Sequence, residues 1–484
     1  MNINFIQILL LRSGKRRYRI WLIISVIALL QSNAIVAYAT PEHVPEDKLG
    51  RSEYCGLCHT DIYQQWNASA HHFSSFNNPI YRKVILSTVG VSNTEVLSFC
   101  AGCHDPILKS AGKLAPLKIN SWAANSGITC LSCHRITEAN DRNGEYTISE
   151  PLLHPFALAE NPTLQKAHEL LLELTPWLHK RVLSKPLYKE PEYCASCHTL
   201  DVPASINGHA DFPLLTEFQQ WRNSPFHISA QNHGGGKRCH DCHMPEVPSN
   251  DPAAKDGLIR SHRFAAGNTA LPAFNRDIEQ LQEAERFLSS GIVELEIVGI
   301  RRNADSMFQP LHKVTILPGD DIELKIAVQN KAVGHHFPAA TVDSNEAWLS
   351  LVGKSASGEI VFKYGVLDAR ESLPLNTIRF GAKFIDKHGN ITDRRSTTTR
   401  AVAIKAQRLI PSGKTITVTM KTNVPQSTIL PLQLELRLNW RKYDPQFIDW
   451  VFDGRPTPAL PITTIAKVRA RIPTKPEVAI NTSN

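Results

Sequence analysis

Cys55-Gly56-Leu57-Cys58-His59, Cys100-Ala101-Gly102-Cys103-His104, Cys130-Leu131-Ser132-Cys133-His134, Cys194-Ala195-Ser196-Cys197-His198 and Cys239-His240-Asp241-Cys242-His243 repeat one pattern, Cys-x-x-Cys-His, five times. They use all ten cysteines of the 484-residue chain. A zinc site would combine Cys-x-x-Cys pairs without a histidine after each. A disulfide framework would not repeat one spacing five times. The pattern is the attachment signature of c-type haem. The two thiols form thioethers with the vinyl groups, and the adjacent histidine binds the iron from one face. The sequence therefore predicts five covalent haems c. Cys55, Cys58, Cys100, Cys103, Cys130, Cys133, Cys194, Cys197, Cys239 and Cys242 hold them, and His59, His104, His134, His198 and His243 are the proximal ligands.

The motifs are compressed. They lie between residues 55 and 243, about 38 residues per haem, whereas a free-standing domain usually needs about 50 or more. The haems must therefore form much of the core, packed on one another with short helices and loops between. The gap before the fourth motif holds the clearest helical segment, Thr163 to Leu183, which Pro176 is expected to kink or split. From about Ser289 the character changes. Cysteine disappears, and alternating segments appear at Ile292–Val298, Lys313–Leu317, Asp321–Gln329, Ala347–Leu351, Glu359–Tyr364, Thr397–Ile404, Thr415–Met420, Leu432–Asn439 and Thr463–Ala470. Turn signals such as Pro318-Gly319-Asp320 separate many of them. The fold class expected is a mainly α, haem-packed domain over 40–275 followed by an antiparallel β-sandwich over 289–473. A helix over Asp277–Phe287 joins the two, and the tail 474–484 reads as disordered.

The first 39 residues read as a secretory signal. Arg12, Lys15, Arg16, Arg17 and Arg19 precede an apolar run, Trp21–Leu30, and Val36-Ala37-Tyr38-Ala39 supplies small residues for cleavage. The apolar run is short of the roughly 20 residues of a membrane span, with an uncleaved anchor as the alternative. No cysteine precedes Cys55, which argues against a lipoprotein anchor. Export and covalent haem together point to the periplasm, the outer membrane or the exterior. The formal charge of +8 is largely a property of the signal. Without it the chain carries about +3, and five haems with paired propionates bring it to roughly −2. Nothing in this balance argues for nucleic acid.

Function turns on the second axial position of each iron. A haem with two histidines is saturated and moves electrons, whereas an open one binds small ligands. The five proximal histidines leave 15 of the 20. Gln64-Gln65-Trp66-Asn67-Ala68-Ser69-Ala70-His71-His72 aligns without a gap to Gln219-Gln220-Trp221-Arg222-Asn223-Ser224-Pro225-Phe226-His227. This reads as a reused haem-packing element whose tryptophan covers a porphyrin and whose last histidine reaches an iron. His72 and His227 therefore rank first as distal ligands. His262 follows, 19 residues after His243. Then come His335 in the turn Gly334-His335-His336-Phe337-Pro338 and His179 in the helical segment. His209 is a reserve. His168 reads as packing, and His71, His154, His233 and His240 have no distinguishing context.

Residues 51–264 resemble the multihaem c-type cytochromes related to the tetrahaem electron carrier of ammonia oxidisers. The matching stretches are Ser52-Glu53-Tyr54 before the first motif, Trp66-x-x-Ser69, Gly127-Ile128-Thr129 before the third, Pro191-Glu192-Tyr193 before the fourth, and Met244-Pro245 after the fifth. Gly334-His335-x-Phe337-Pro338, with Asp343 and Trp348, looks like the β-domain often appended to such proteins. The resemblance implies a distal role for the histidine after Trp-x-x-Ser and favours His335 over His336.

The expected role is electron transfer between other redox proteins through closely packed, mostly bis-histidine haems in series, with a membrane-associated complex or homo-oligomer as possible context. The competing class is a reductase or oxidoreductase of a small nitrogen or sulfur compound at one open haem. Against it, all five motifs end in histidine, and no lysine-ending Cys-x-x-Cys-Lys site is present.

Overall fold

Alternation decides the second half of the chain. In Asp321–Asn330 the side chains of Ile322, Leu324, Ile326 and Val328 are fully buried. In Leu432–Arg441, Leu432, Leu434, Leu436 and Leu438 behave alike. Period-two burial is what a strand with one face on a core requires. The computed structural model describes residues 47, 49–90, 92–149, 156, 161–227, 236–303 and 307–475. The expected signal, His43, His154, His233 and most of the expected tail lie outside the described residues. Among the described residues no helix is long and apolar enough to cross a membrane.

The first half is helical, in short pieces set by their ends. Asn78 accepts hydrogen bonds from the backbone N–H groups of Ile80 and Tyr81, Asn93 from Val96 and Asn161 from Thr163. Each cap contributes about 1 kcal/mol. Pro162 and Pro176 open the helices Pro162–Leu174 and Pro176–Leu183. Proline is tolerated at a first helical position because its missing N–H has no partner there. Pro176 therefore splits the segment, one of the two outcomes expected of it, and the second helix carries His179.

Three small hairpins follow motif helices: β1 (Ile136–Ala139) with β2 (Tyr146–Ile148), β3 (Leu200–Val202) with β4 (Phe212–Leu215), and β5 (Glu246–Pro248) with β6 (Leu258–Arg260). The turn of the first is wedged between two motifs. Gly144 donates its N–H to the Ser196 carbonyl at 2.6 Å, and a Cβ on it would lie 2.5 Å from Gly102. With φ at +63°, only glycine suits the position.

Among the described residues nine strands follow: β7 (Val293–Arg302), β8 (Asp321–Asn330), β9 (Glu346–Lys354), β10 (Ile360–Tyr364), β11 (Arg379–Ile385), β12 (Ala403–Arg408), β13 (Thr415–Asn423), β14 (Leu432–Arg441) and β15 (Thr463–Ile472). A six-stranded sheet runs β12-β11-β9-β14-β15 with β10 on β9, and a three-stranded sheet runs β13-β8-β7. All these pairs are antiparallel. Side chains from both sheets share one apolar cluster, which Leu288 of the helix Ile278–Leu288 joins. Each fully buried leucine or isoleucine there contributes about 1.5–3 kcal/mol.

Two expected strands fail. Lys313–Leu317 is not a strand. Val314 and Ile316 are buried as the alternation requires, but a short 3₁₀ turn, Leu311–Lys313, ends just before them. In Thr397–Ile404 the first four residues form a helical turn, Thr397–Arg400, because both the backbone N–H and the hydroxyl of Thr397 bond the Asp393 carbonyl. The strand starts only at Ala403. Strand β11 and the helix Pro445–Val451 were not anticipated.

The helical and sheet-rich parts interlock through polar contacts. Trp440 donates its indole N–H to the Gly267 carbonyl at 2.9 Å, and the buried Asn207 amide donates to the Ala401 carbonyl at 3.2 Å.

Candidate haem centres

Four motifs lie wholly on helices, Thr94–His104, Cys130–His134, Pro191–His198 and Cys239–His243, and the first starts in the helix Ser52–Gly56 and ends at His59, just before the helix Thr60–Ala68. A single helical turn brings the two thiols and the histidine to one side. The third motif shows how such a short helix is started. The Thr129 hydroxyl accepts the Ser132 N–H at 3.1 Å while the Ser132 hydroxyl accepts the Thr129 N–H at 2.8 Å.

The imidazoles are oriented by their inner nitrogens. His104 Nδ1 bonds the Ser74 carbonyl at 2.7 Å, His134 Nδ1 the Leu183 carbonyl at 2.7 Å and His243 Nδ1 the Ala265 carbonyl at 2.9 Å. His59 Nδ1 bonds the Asp251 carboxylate at 2.8 Å. A carbonyl only accepts, so Nδ1 carries the proton and Nε2 keeps its lone pair for a metal. His262 and His335 share the arrangement, through the carbonyls of Arg260 and His336, both at 2.9 Å. Burial favours the neutral form of His104, His134 and His243. It lowers His198, His262 and His335 to about 4 and His71 to about 3.

The rings then pair. His59 faces His179 with centres 6.0 Å apart and planes 16° from parallel. His134 faces His262 at 6.4 Å and 21°, and His243 faces His335 at 6.4 Å and 4°. His198 faces His71 at 6.0 Å and 53°. Two imidazoles on opposite sides of one metal, each at a bond length of about 2 Å, place their ring centres roughly 6 Å apart. The donor set and its spacing fit haem iron at four of the five motifs.

His104 differs. Its ring stacks on Tyr81 at 4.4 Å and 14°, too close for a porphyrin between them. Among the described residues no histidine ring stacks across from it. Tyr81 donates its hydroxyl to Asp105, which burial raises to about 7.

His179, His262 and His335 thus lie opposite motif histidines. His72 and His227, ranked first from the repeat, do not. His72 lies edge-on to Trp66 at 4.6 Å and 72°, and His227 edge-on to Trp221 at 4.8 Å and 72°. The reason is the turn after Ser69. There the Ser69 hydroxyl accepts the His72 N–H at 3.4 Å, and successive side chains leave in different directions. His72 turns back on the indole while its neighbour His71, set aside in the sequence, reaches His198. The Ser-x-His spacing of Ser69-Ala70-His71 is the signal that would have found it. Phe226 fills the equivalent place in the second copy.

The thiols show which motifs adjoin. Cys55 lies beside Cys130, Cys197 beside Cys103 and Cys194 beside Cys239. Tyr193, beside Cys194, reaches the Cys133 sulfur at 2.5 Å. The first motif therefore adjoins the third, the third adjoins the fourth, and the fourth adjoins both the second and the fifth.

The family model described as "Cytochrome c554 and c-prime" matches residues 54–135. No curated protein matches the chain in sequence. A solved structure, a penta-heme cytochrome c552 from Thermochromatium tepidum, is similar to it at a TM-score of 0.53 and 18% identity, over 88% of this chain and 100% of that one. Two others share far less. Spo0M, a sporulation control protein from Bacillus subtilis, has 8% identity and a TM-score of 0.16 over 38% of this chain and 50% of its own. A β-glucuronidase of glycoside hydrolase family 2 has 10% identity and a TM-score of 0.17 over 37% and 12%. At those scores neither bears on the fold. The family match, the overall likeness to a penta-heme cytochrome and the five attachment motifs together support a multihaem c-type cytochrome with covalently bound haem.

Proposed function

We propose that the chain is an exported pentahaem electron carrier, a haem-bearing region over 40–275 followed by a β-sandwich over 289–473. It exchanges electrons with other redox proteins in the periplasm or at the outer membrane. The observation that carries this reading is the set of four imidazole pairs at 6.0–6.4 Å. Haem, when bound, supplies a one-electron centre at each motif. The chain's part is to fix His59, His134, His243, His262 and His335 by their Nδ1 bonds, to favour neutral His71, His198, His262 and His335 by burial, and to hold neighbouring motifs in contact. Haem content and ferric spectra test the proposal. The expected outcome is five haems per chain with four low-spin. Fewer than four low-spin haems would overturn the bis-histidine reading.

A second reading is favoured at one place. The Cys100–His104 centre lacks an opposing imidazole among the described residues, so it is the candidate for an open iron and small-molecule chemistry. One high-spin haem that takes up cyanide, lost in a Cys100→Ser/Cys103→Ser variant, is the result expected. Five low-spin haems inert to cyanide would end that reading.

A further inference from the structure

The Gln-Gln-Trp-x-x-Ser repeat makes two matched sets of contacts. In the first copy Trp66 donates its indole N–H to the Ile128 carbonyl at 2.7 Å, two residues before Cys130. The adjacent Gln65 accepts, on Oε1, the backbone N–H of His262 at 2.8 Å. Cys130–His134 and His262 are the two halves of one centre. In the second copy Trp221 donates to the Lys237 carbonyl at 2.8 Å, two residues before Cys239. Gln220 Oε1 accepts the N–H of His336 at 2.9 Å, next to His335, which faces His243. Both indoles are buried, and both are buttressed edge-on by the histidine at the end of the repeat. Sequence-equivalent residues thus bind equivalent points of two different centres.

We infer that each Gln-Trp pair is a positioning clamp. Two adjacent side chains hold the proximal and distal segments of one haem centre at a set separation, Gln65–Trp66 at the third motif and Gln220–Trp221 at the fifth. The inference rests on the reading of His134–His262 and His243–His335 as axial pairs. Neither clamp residue is itself an iron ligand. Each acts through the backbone that carries one, as partners behind metal-ligating histidines do. The clamps also make the unit "motif, Gln-Gln-Trp, motif" a structural duplication. Cys55 touches Cys130 in one copy and Cys194 touches Cys239 in the other.

The test uses the intact holoprotein and four mild variants, Trp66→Phe, Gln65→Met, Trp221→Phe and Gln220→Met. Low-spin paramagnetic resonance and cyanide titration are the readouts. The signal that disappears in His335→Ala identifies the fifth-motif haem, and the signal lost in His262→Ala identifies the third. Trp221→Phe and Gln220→Met are expected to shift the fifth-motif signal and to raise cyanide affinity there by about 5-fold, the equivalent of one lost hydrogen bond. The third-motif signal stays unchanged. Trp66→Phe and Gln65→Met do the reverse. If His335→Ala produces no high-spin haem, the axial reading falls. If it does, but the four variants leave signals and cyanide affinity unchanged, the clamp alone falls. A shift spread evenly over all five haems also overturns the clamp, since that is general loosening.

Discussion

Replacing His335 with alanine is expected to turn one ferric haem from low to high spin and to open it to cyanide, leaving the other four as they are. His335 faces His243 with nearly parallel rings. Its turn is held on both sides. The fully buried Asn330 donates its amide to the His335 carbonyl at 2.9 Å, and Phe337 pairs with Ile410. A rigid turn cannot deliver a substitute, and the neighbouring His336 is committed through its N–H to Gln220. The paired control is His72→Ala. That ring packs on Trp66, so all spin states are expected to persist. Absorbance near the high-spin charge-transfer band reads both variants. The opposite pattern would restore the repeat histidines as ligands.

Glu346→Ala is expected to cost about 3 kcal/mol of stability, because it takes the hydrogen-bonded carboxylate from a buried cation and leaves only the looser Glu371 carboxylate. Arg441 has a side chain with no exposure, and its Nε donates to Glu346 at 2.8 Å across the β9–β14 pair. Its other partners are Glu371, whose carbonyl accepts at 3.0 Å and whose half-exposed carboxylate lies 3.8 Å away, and the face of Trp348 at 5.9 Å. Arg441→Met removes the charge together with its need for a partner, so it is expected to cost much less. Thermal unfolding of the two variants decides. Equal losses would mean that packing, not the unpaired charge, governs the site. The pair lies one residue from Trp440, whose indole ties the sheet to Gly267 just past His262. Melting is therefore expected to loosen the third-motif centre as well.

Much of this was legible in the sequence. Attachment residues follow from covalent spacing alone, and β8 and β14 follow from leucine and isoleucine at alternate positions. Strand β11 carries the same alternation, with Phe380 and Phe384 buried between Arg379, Gly381 and Lys383, but the glycine in its interior weakens the strand signal. The helix Pro445–Val451 carried a readable start in Asp444-Pro445, where Asp444 accepts the Phe447 N–H at 2.9 Å. The histidine pairs were a different kind of problem. Which way a ring leaves a turn depends on local backbone, and which iron it meets depends on segments far away in sequence. His59 and His179 are 120 positions apart, and His71 and His198 are 127 apart. The alignment of His72 with His227 was correct as a repeat. In both copies the shared histidine lies edge-on to the tryptophan.

The contacts among the cysteines bear on traffic. A row of five sites has two ends, but this arrangement has three. The first, third, fourth and fifth motifs make a continuous route, and every one of them has its histidine pair. The second motif hangs from the fourth as a spur through Cys197 and Cys103. It is also the one whose histidine stacks on tyrosine. In the proposed carrier, a molecule caught on the spur would be served from the junction without blocking the main line, so passage and reaction would not compete for the same iron.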